Sequence, residues 1–295
     1  MNFFVKFWGT RGSIPTPGSL TQVFGGNTPC IELRVDDALY VCDGGSGLRE
    51  LGLDLLRRGK KPIVAHMFFS HAHWDHIQGF PFFVPAFLKD NSLIIYGTAP
   101  GDTKFHKLLS GQMESDYFPV AFGDLGARVA PDDLGAEGKT IEGVAVRAIA
   151  QLHHGPSYGY AFEKDGRKVV YATDNELDLE LENADEAARD PDAPRRCPRR
   201  YVDFCRGAKL LIADGQYTDA EYANKRTWGH PRATTCVDLA VEAGVEQLAI
   251  THHDPLQSDD KVREKIEACR VRAQRLSGGK LQVFGAREGM ELRID

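Results

Sequence analysis

The segment Ser70-His-Ala-His-Trp-Asp-His76 constrains the fold of this chain more than any other stretch. It sets three imidazoles and a carboxylate directly behind an apolar run, Ile63 to Phe69, that reads as a buried strand. Neutral imidazole nitrogen and carboxylate oxygen are ligands that zinc prefers. The alternative, a solvated loop, requires the chain's ten histidines to cluster by accident. His71 and His73 stand two apart, so an extended or tightly turned segment faces them to one side, where they can share a metal. Asp75 and His76 lie just beyond, placed for a second metal. One local segment cannot complete two sites. The other ligands must come from other strand ends, and His153-His154, Asp174 and His252-His253 each follow one.

The rest of the chain supplies those ends. Ile31 to Val35 and Ala38 to Cys42 read as strands joined at Asp36-Asp37, and Leu48 to Arg58 has helical leucine spacing. Further strands are expected at Leu93 to Tyr96, Gly143 to Gln151, Tyr158 to Glu163, Lys168 to Ala172, Ala208 to Ala213 and Gln247 to Thr251. Helices are expected from Ala233 to Ala243, closed by Gly244, and from about Asp259 to Leu276, with a final strand pair over Leu281 to Ile294. Between about 176 and 206 the composition turns acidic, then rich in proline and arginine, which reads as a surface insertion in one domain spanning 1–295. Strands mix with helices in both halves and the polar clusters sit at strand ends, an α/β arrangement.

Composition narrows the function classes. A net charge of −6 lacks the positive field of a general nucleic-acid binder, which argues against long RNA or DNA as substrate. No run of about 18 apolar residues suggests a membrane span, and the amino-terminal stretch reads as a first strand, so a cytoplasmic protein is expected. The six cysteines include no C-x-x-C pair, and Cys30 and Cys42 fall in apolar strand patterns that suit buried, inert thiols.

His-Ala-His-Trp-Asp-His resembles the H-x-H-x-D-H motif of the metallo-β-lactamase superfamily, which implies a four-layer αβ/βα sandwich. Further motifs follow in that family's order. Asp43-Gly44-Gly45 looks like its early aspartate-glycine turn, His153 like the third histidine of the first metal, Asp174 like the bridging aspartate and His252 like the last ligand of the second metal. Tyr158-Gly159-Tyr160 and Gly229-His230-Pro231 resemble the phosphodiesterase branch, similar to tRNase Z and cyclic-nucleotide phosphodiesterases. Pro231-Arg232 departs from the serine and threonine usual after that histidine. A long glycine- and proline-rich arm for holding tRNA is also missing, which favours a small substrate.

The resemblance implies two divalent cations, zinc or else manganese or iron, about 3.5–4 Å apart with a bridging hydroxide. His71, His73 and His153 would hold the first, Asp75, His76 and His252 the second, and Asp174 would bridge. Asp75 could also orient the hydroxide, and His230 is the candidate general acid. The expected substrate is a small-molecule phosphodiester, such as a cyclic nucleotide. The rivals are a lactone, thioester or β-lactam hydrolase on the same metals, or a tRNA 3′-processing endonuclease. A homodimer is the expected assembly. Several residues have two readings each. His154 and His253 could support the site or lie at an ordinary surface, and Asp214 could bond His230 or end its strand in solvent. Arg11, between Gly9 and Gly12, could clamp a phosphate or simply leave the first strand in a turn. One ring of Phe80-Pro-Phe-Phe83 could line a base pocket, although packing the core is the simpler role.

Overall fold

Side-chain alternation along the strands sorts this chain into layers. The computed structural model describes residues 2–60, 62–97, 104–190 and 192–295. Its strands are β1 (Phe3–Gly9), β2 (Cys30–Val35), β3 (Ala38–Cys42), β4 (Val64–Phe68), β5 (Ser92–Tyr96), β6 (Arg128–Asp132), β7 (Lys139–Ile141), β8 (Val144–Gln151), β9 (Ser157–Lys164), β10 (Arg167–Ala172), β11 (Leu210–Asp214), β12 (Gln247–Thr251), β13 (Gln282–Gly285) and β14 (Glu291–Arg293). They form two seven-stranded sheets, ordered β14-β1-β2-β3-β4-β5-β6 and β13-β12-β11-β10-β9-β8-β7.

Successive residues of a strand face opposite sides of its sheet. Tyr40 and Cys42 of β3 therefore enter a core shared with Val169 and Tyr171 of β10 and Leu210 and Ile212 of β11. Leu39 and Val41 turn the other way, toward Leu48, Leu51 and Leu55 of the helix Gly47–Arg58. Val170, Leu211 and Ala213 likewise turn outward, against the helices Arg199–Cys205, Ala233–Glu242 and Asp259–Ser277. Helix, sheet, sheet, helix is the expected four-layer αβ/βα sandwich. The last of those helices has its ends written in the sequence. The Ser258 side chain accepts from the Lys261 amide, Asp259 and Asp260 fill the first turn, and Gly278 closes the helix at a φ of 62°.

Several expectations change. The carboxy-terminal strands are not a pair: β13 adds to β12 in the second sheet, while β14 crosses to β1 in the first. β6 and β7 carry no clean alternation, with few buried positions, and did not stand out as strands. The 176–206 stretch is only partly superficial. Pro191 lies outside the described residues, but Leu177, Cys197, Tyr201, Val202 and Cys205 are buried in the second sheet's outer core. All six cysteines are buried and free. Among the described residues no helix is long and apolar enough to cross a membrane.

Parallel pairing is what places the chemistry. β3, β4, β5 and β6 run parallel, as do β10, β11, β12 and β13. Strands that run together also end together, so the loops after them gather at one rim.

Candidate metal centre

Each functional side chain leaves the end of a strand. Asp43 follows β3, Ser70–His76 follows β4, His153 follows β8, Asp174 follows β10, Asp214 closes β11 and His252 follows β12. Asp43, Asp174 and His252 have φ of 59°, 54° and 57°, a conformation costly for a side chain with a Cβ. Such strain persists only where the surroundings fix it, and it concentrates at working sites.

Three groups able to hold a cation result among the described residues, one of them Asp174, Asp214, His230 and His252, and the other two contain the expected ligands. His71, His73, His153 and Asp174 offer atoms within 4.8 Å of one another, as do Asp75, His76 and His252. Asp174 faces both. Its Oδ2 lies 3.6 Å from His71 Nε2 and 3.5 Å from His153 Nε2, while its Oδ1 lies 3.4 Å from His76 Nε2 and 3.3 Å from His252 Nε2. Asp75 Oδ2 is 3.2 Å from both His76 Nε2 and His252 Nε2. The structure thus brings together all seven residues expected as metal ligands.

The outer nitrogens fix which lone pairs point inward. His153 Nδ1 donates to the Gly229 carbonyl at 2.9 Å, and His252 Nδ1 to the Gln216 side-chain oxygen at 3.0 Å. His76 Nδ1 donates to Asp43 at 2.8 Å. His71 Nδ1 lies 3.0 Å from Ser70 Oγ, whose own hydrogen goes to Asp43 at 2.9 Å. In each ring Nδ1 holds the proton and Nε2 is left as a bare donor, the arrangement metal-binding histidines require. His71 Nε2 and His76 Nε2 are buried without a hydrogen-bond partner, a costly state unless a cation accepts their lone pairs. His73 completes the first group through Nδ1, 3.1 Å from His153 Nε2. The donors present fit a pair of divalent cations.

Electrostatics agree. Burial pushes His71 well below the ordinary histidine range and His153 to about 4, so both are neutral, the form a metal ligand needs. At His76 burial opposes charge, but Asp75, Asp174 and Asp43 overcome it and raise the group well above its ordinary value. Burial likewise opposes ionisation of Asp75 and Asp174, and the surrounding imidazoles overcome it and hold both carboxyls well below the usual range. The cage favours positive charge at its centre.

His230 stands beside the second group. Its ring stacks on His252 at 4.9 Å and its Nδ1 donates to Asp214 at 2.7 Å. Burial opposes its protonation, and Asp214 and Asp174 outweigh burial to raise it to about 9. Asp214 therefore bonds His230 and is not merely solvated.

Two carboxylates that read as insertion residues hold this corner in place. Glu176, 2% exposed, accepts from the Thr227 amide at 2.6 Å, the Gly229 amide at 2.7 Å and the Tyr222 hydroxyl at 2.9 Å. Asp178 accepts from the Arg232 amide and Nε, both at 2.8 Å, and from Thr235 at 2.7 Å. Arg232, the departure from the family pattern, is thus a partner of Asp178. Neither carboxylate carried a sequence signal, because the nearest of their partners in the chain, Tyr222, lies 46 positions from Glu176.

Residues with two readings each take one of them here. Arg11 is fully buried and donates to the carbonyls of Gly25, Asp254 and Gln257, so it ties two loops together and does not clamp phosphate. The Ser13 amide donates to Asp75 at 2.8 Å, which gives that loop a role in holding a ligand. His253 is buried against Phe24 with Nε2 near the Ala286 carbonyl, a packing residue. His154 is exposed and meets the Thr227 carbonyl. Phe80 and Phe83 enter the core, whereas Phe82 is exposed.

Residues 40–253, which contain every ligand above, match the family model described as "Beta-lactamase superfamily domain". Ribonuclease Z of Haloarcula marismortui is 24% identical, with 100% of this chain and 98% of that protein aligned. A solved diphosphatase of the PhnP family has a TM-score of 0.62 at 16% identity, covering 99% of this chain and 97% of that one. Human short-form tRNase Z also gives 0.62, at 19% identity and with 99% of each chain covered.

Proposed function

The chain belongs to the metallo-β-lactamase superfamily, as a metal-dependent hydrolase of its phosphodiesterase branch, and on that premise we propose that it cleaves a small nucleotide phosphodiester, such as a cyclic nucleotide. His71, His73, His153 and Asp174 would hold one divalent cation, and Asp75, His76, His252 and Asp174 the other. Zinc suits this histidine-rich set, and manganese or iron are its competitors. When bound, the cations supply Lewis-acid activation of water and of a phosphoryl oxygen.

The observation that carries the reading is the Asp214–His230 pair. With Nδ1 committed to Asp214 at 2.7 Å, Nε2 is the nitrogen that can hand a proton to a departing alkoxide. A phosphodiester with a nucleoside leaving group needs that proton; a lactone or β-lactam opened by the same cations does not need this histidine. Asp75, fixed by the Ser13 amide, is positioned to orient the attacking water as well as to ligate.

Processing of tRNA 3′ ends is the second reading, supported by relatives named ribonuclease Z and tRNase Z. Those relatives outweigh the net charge of −6, so the expectation against a long nucleic acid does not stand. The deciding experiment offers bis(p-nitrophenyl) phosphate, a lactone and a β-lactam to protein loaded with zinc or manganese. Turnover of the phosphodiester is expected. Turnover of only the lactone or β-lactam would overturn the proposal.

A further inference from the structure

Two of the chain's three tryptophans adjoin, along the chain, residues of the metal cage or of its hydrogen-bonded support. Trp74, 65% exposed, follows His73, and Trp228, 55% exposed, precedes Gly229. His153 joins the two sides, its Nε2 3.1 Å from His73 Nδ1 and its Nδ1 2.9 Å from the Gly229 carbonyl. Each tryptophan is therefore the chain neighbour of a residue bonded to the same imidazole of the first ligand group. Trp8, the remaining tryptophan, is half-buried with its indole nitrogen donating to Glu32.

An indole offers a large, rigid, apolar face with a polar edge, which suits it to receive a partner that is itself flat. Neither ring hangs on a loose loop. Trp74 opens the helical turn Trp74–Ile77, whose start is the ligand His73. Trp228 lies between two amides, of Thr227 and Gly229, that both donate to the buried Glu176 carboxylate. Exposed His154 adds a third tie, to the Thr227 carbonyl at 2.9 Å. Beside Trp228 is positive charge: the Lys225 ammonium lies 3.6 Å from the centre of its ring, and Arg226 is the exposed next residue in the chain. Rigid aromatic faces together with cations are the means by which proteins hold unpaired nucleobases and the phosphates attached to them.

We propose that Trp74 and Trp228 form a stacking clamp for a nucleobase of the substrate, with Lys225 meeting its phosphate–ribose side. The inference rests on the phosphodiesterase reading and names the recognition element of that site. Stacking reads the face of a base and not its edge, so the clamp accepts all four bases with modest preference. The base can belong to a small nucleotide or to the unpaired end of an RNA.

Two measurements test it. In the first, AMP is titrated into the protein while tryptophan emission is followed. Saturable quenching is expected, and Trp74→Ala or Trp228→Ala should each weaken AMP binding about tenfold as read by the remaining indole. In the second, kcat/KM for thymidine 5′-p-nitrophenyl phosphate is divided by that for methyl p-nitrophenyl phosphate, which has the same leaving group and no base. The ratio should fall about tenfold in either alanine variant, mainly through KM, and recover in Trp74→Phe and Trp228→Phe. An absence of saturable quenching in the parent protein, or a ratio unmoved by both alanine variants, would overturn the clamp. If neither diester turns over, the hydrolase reading fails, and the AMP titration still decides the clamp on its own. Cyclic AMP and a short single-stranded oligoadenylate, titrated in parallel, separate the two sources of the base.

Discussion

Each sheet ends in a buried aspartate bonded to Nδ1 of a histidine: Asp43 with His76 at 2.8 Å, and Asp214 with His230 at 2.7 Å. The pairs look alike and face different tasks. Asp43 also accepts from the Ser70 amide, the Ser70 hydroxyl and the Tyr171 hydroxyl at 2.6 Å, the last reaching across from the other sheet. Asp43 thus meets four donors, three of them at Oδ2, and His76 is fully buried with Nε2 among the carboxylates of Asp75 and Asp174. Asp214 has the Gln216 amide as its other close donor, and His230 keeps 8% of its surface in solvent. On the proposed reading the same chemical pair would orient a ligand where the inner nitrogen meets carboxylates, and would present a proton donor where the ring borders the mouth of the site.

That contrast can be broken from either end. Asp214→Asn should lower kcat for a diester with a nucleoside leaving group about a thousandfold while metal content stays that of the parent, checked by steady-state kinetics beside metal analysis. Asp43→Asn should instead weaken metal affinity about 10- to 100-fold, with activity restored by added metal. Were Asp43→Asn to lower kcat at saturating metal, the division of labour between the two pairs would be wrong.

A smaller effect sharpens the contrast between the two ligand groups. A Cβ at Gly12 would meet the His252 ring, and a Cβ at Gly229 would meet His153. Gly12→Ala should therefore loosen the second cation and Gly229→Ala the first, each by about tenfold. Sequential chelation, followed by metal analysis, distinguishes the order of loss. Gly229→Ala carries an added strain, because that residue has a φ of 88°.

Legibility followed how far apart in sequence the interacting groups lie. Six consecutive positions, His71 to His76, announced a metal site because the ligands sit together behind a strand. His153, Asp174 and His252 were legible as strand-end residues once the family pattern was recognised. Glu176 and Asp178 were not, since an acidic stretch reads as solvated until the amides of Thr227, Gly229 and Arg232 are seen folding back on it. Arg11 stayed open between two readings for the converse reason: a cation between glycines suits an anion cradle or a turn, and its partners are loop carbonyls, two of them from the far end of the chain. In the fold, β3 and β10 to β12 were visible through apolar runs, whereas β14 could not be assigned to the first sheet because its pairing with β1 leaves no local trace.

The most direct test of the account compares His230→Ala with the parent protein on two phosphodiesters, one with a p-nitrophenolate leaving group and one with a nucleoside alkoxide. A histidine that protonates the departing oxygen matters most where that oxygen is a poor leaving group. A loss of roughly a thousandfold is expected on the nucleoside diester and a far smaller loss on the p-nitrophenyl diester, with metal content unchanged. Equal losses on both substrates would contradict it and make His230 a residue that only shapes the cage.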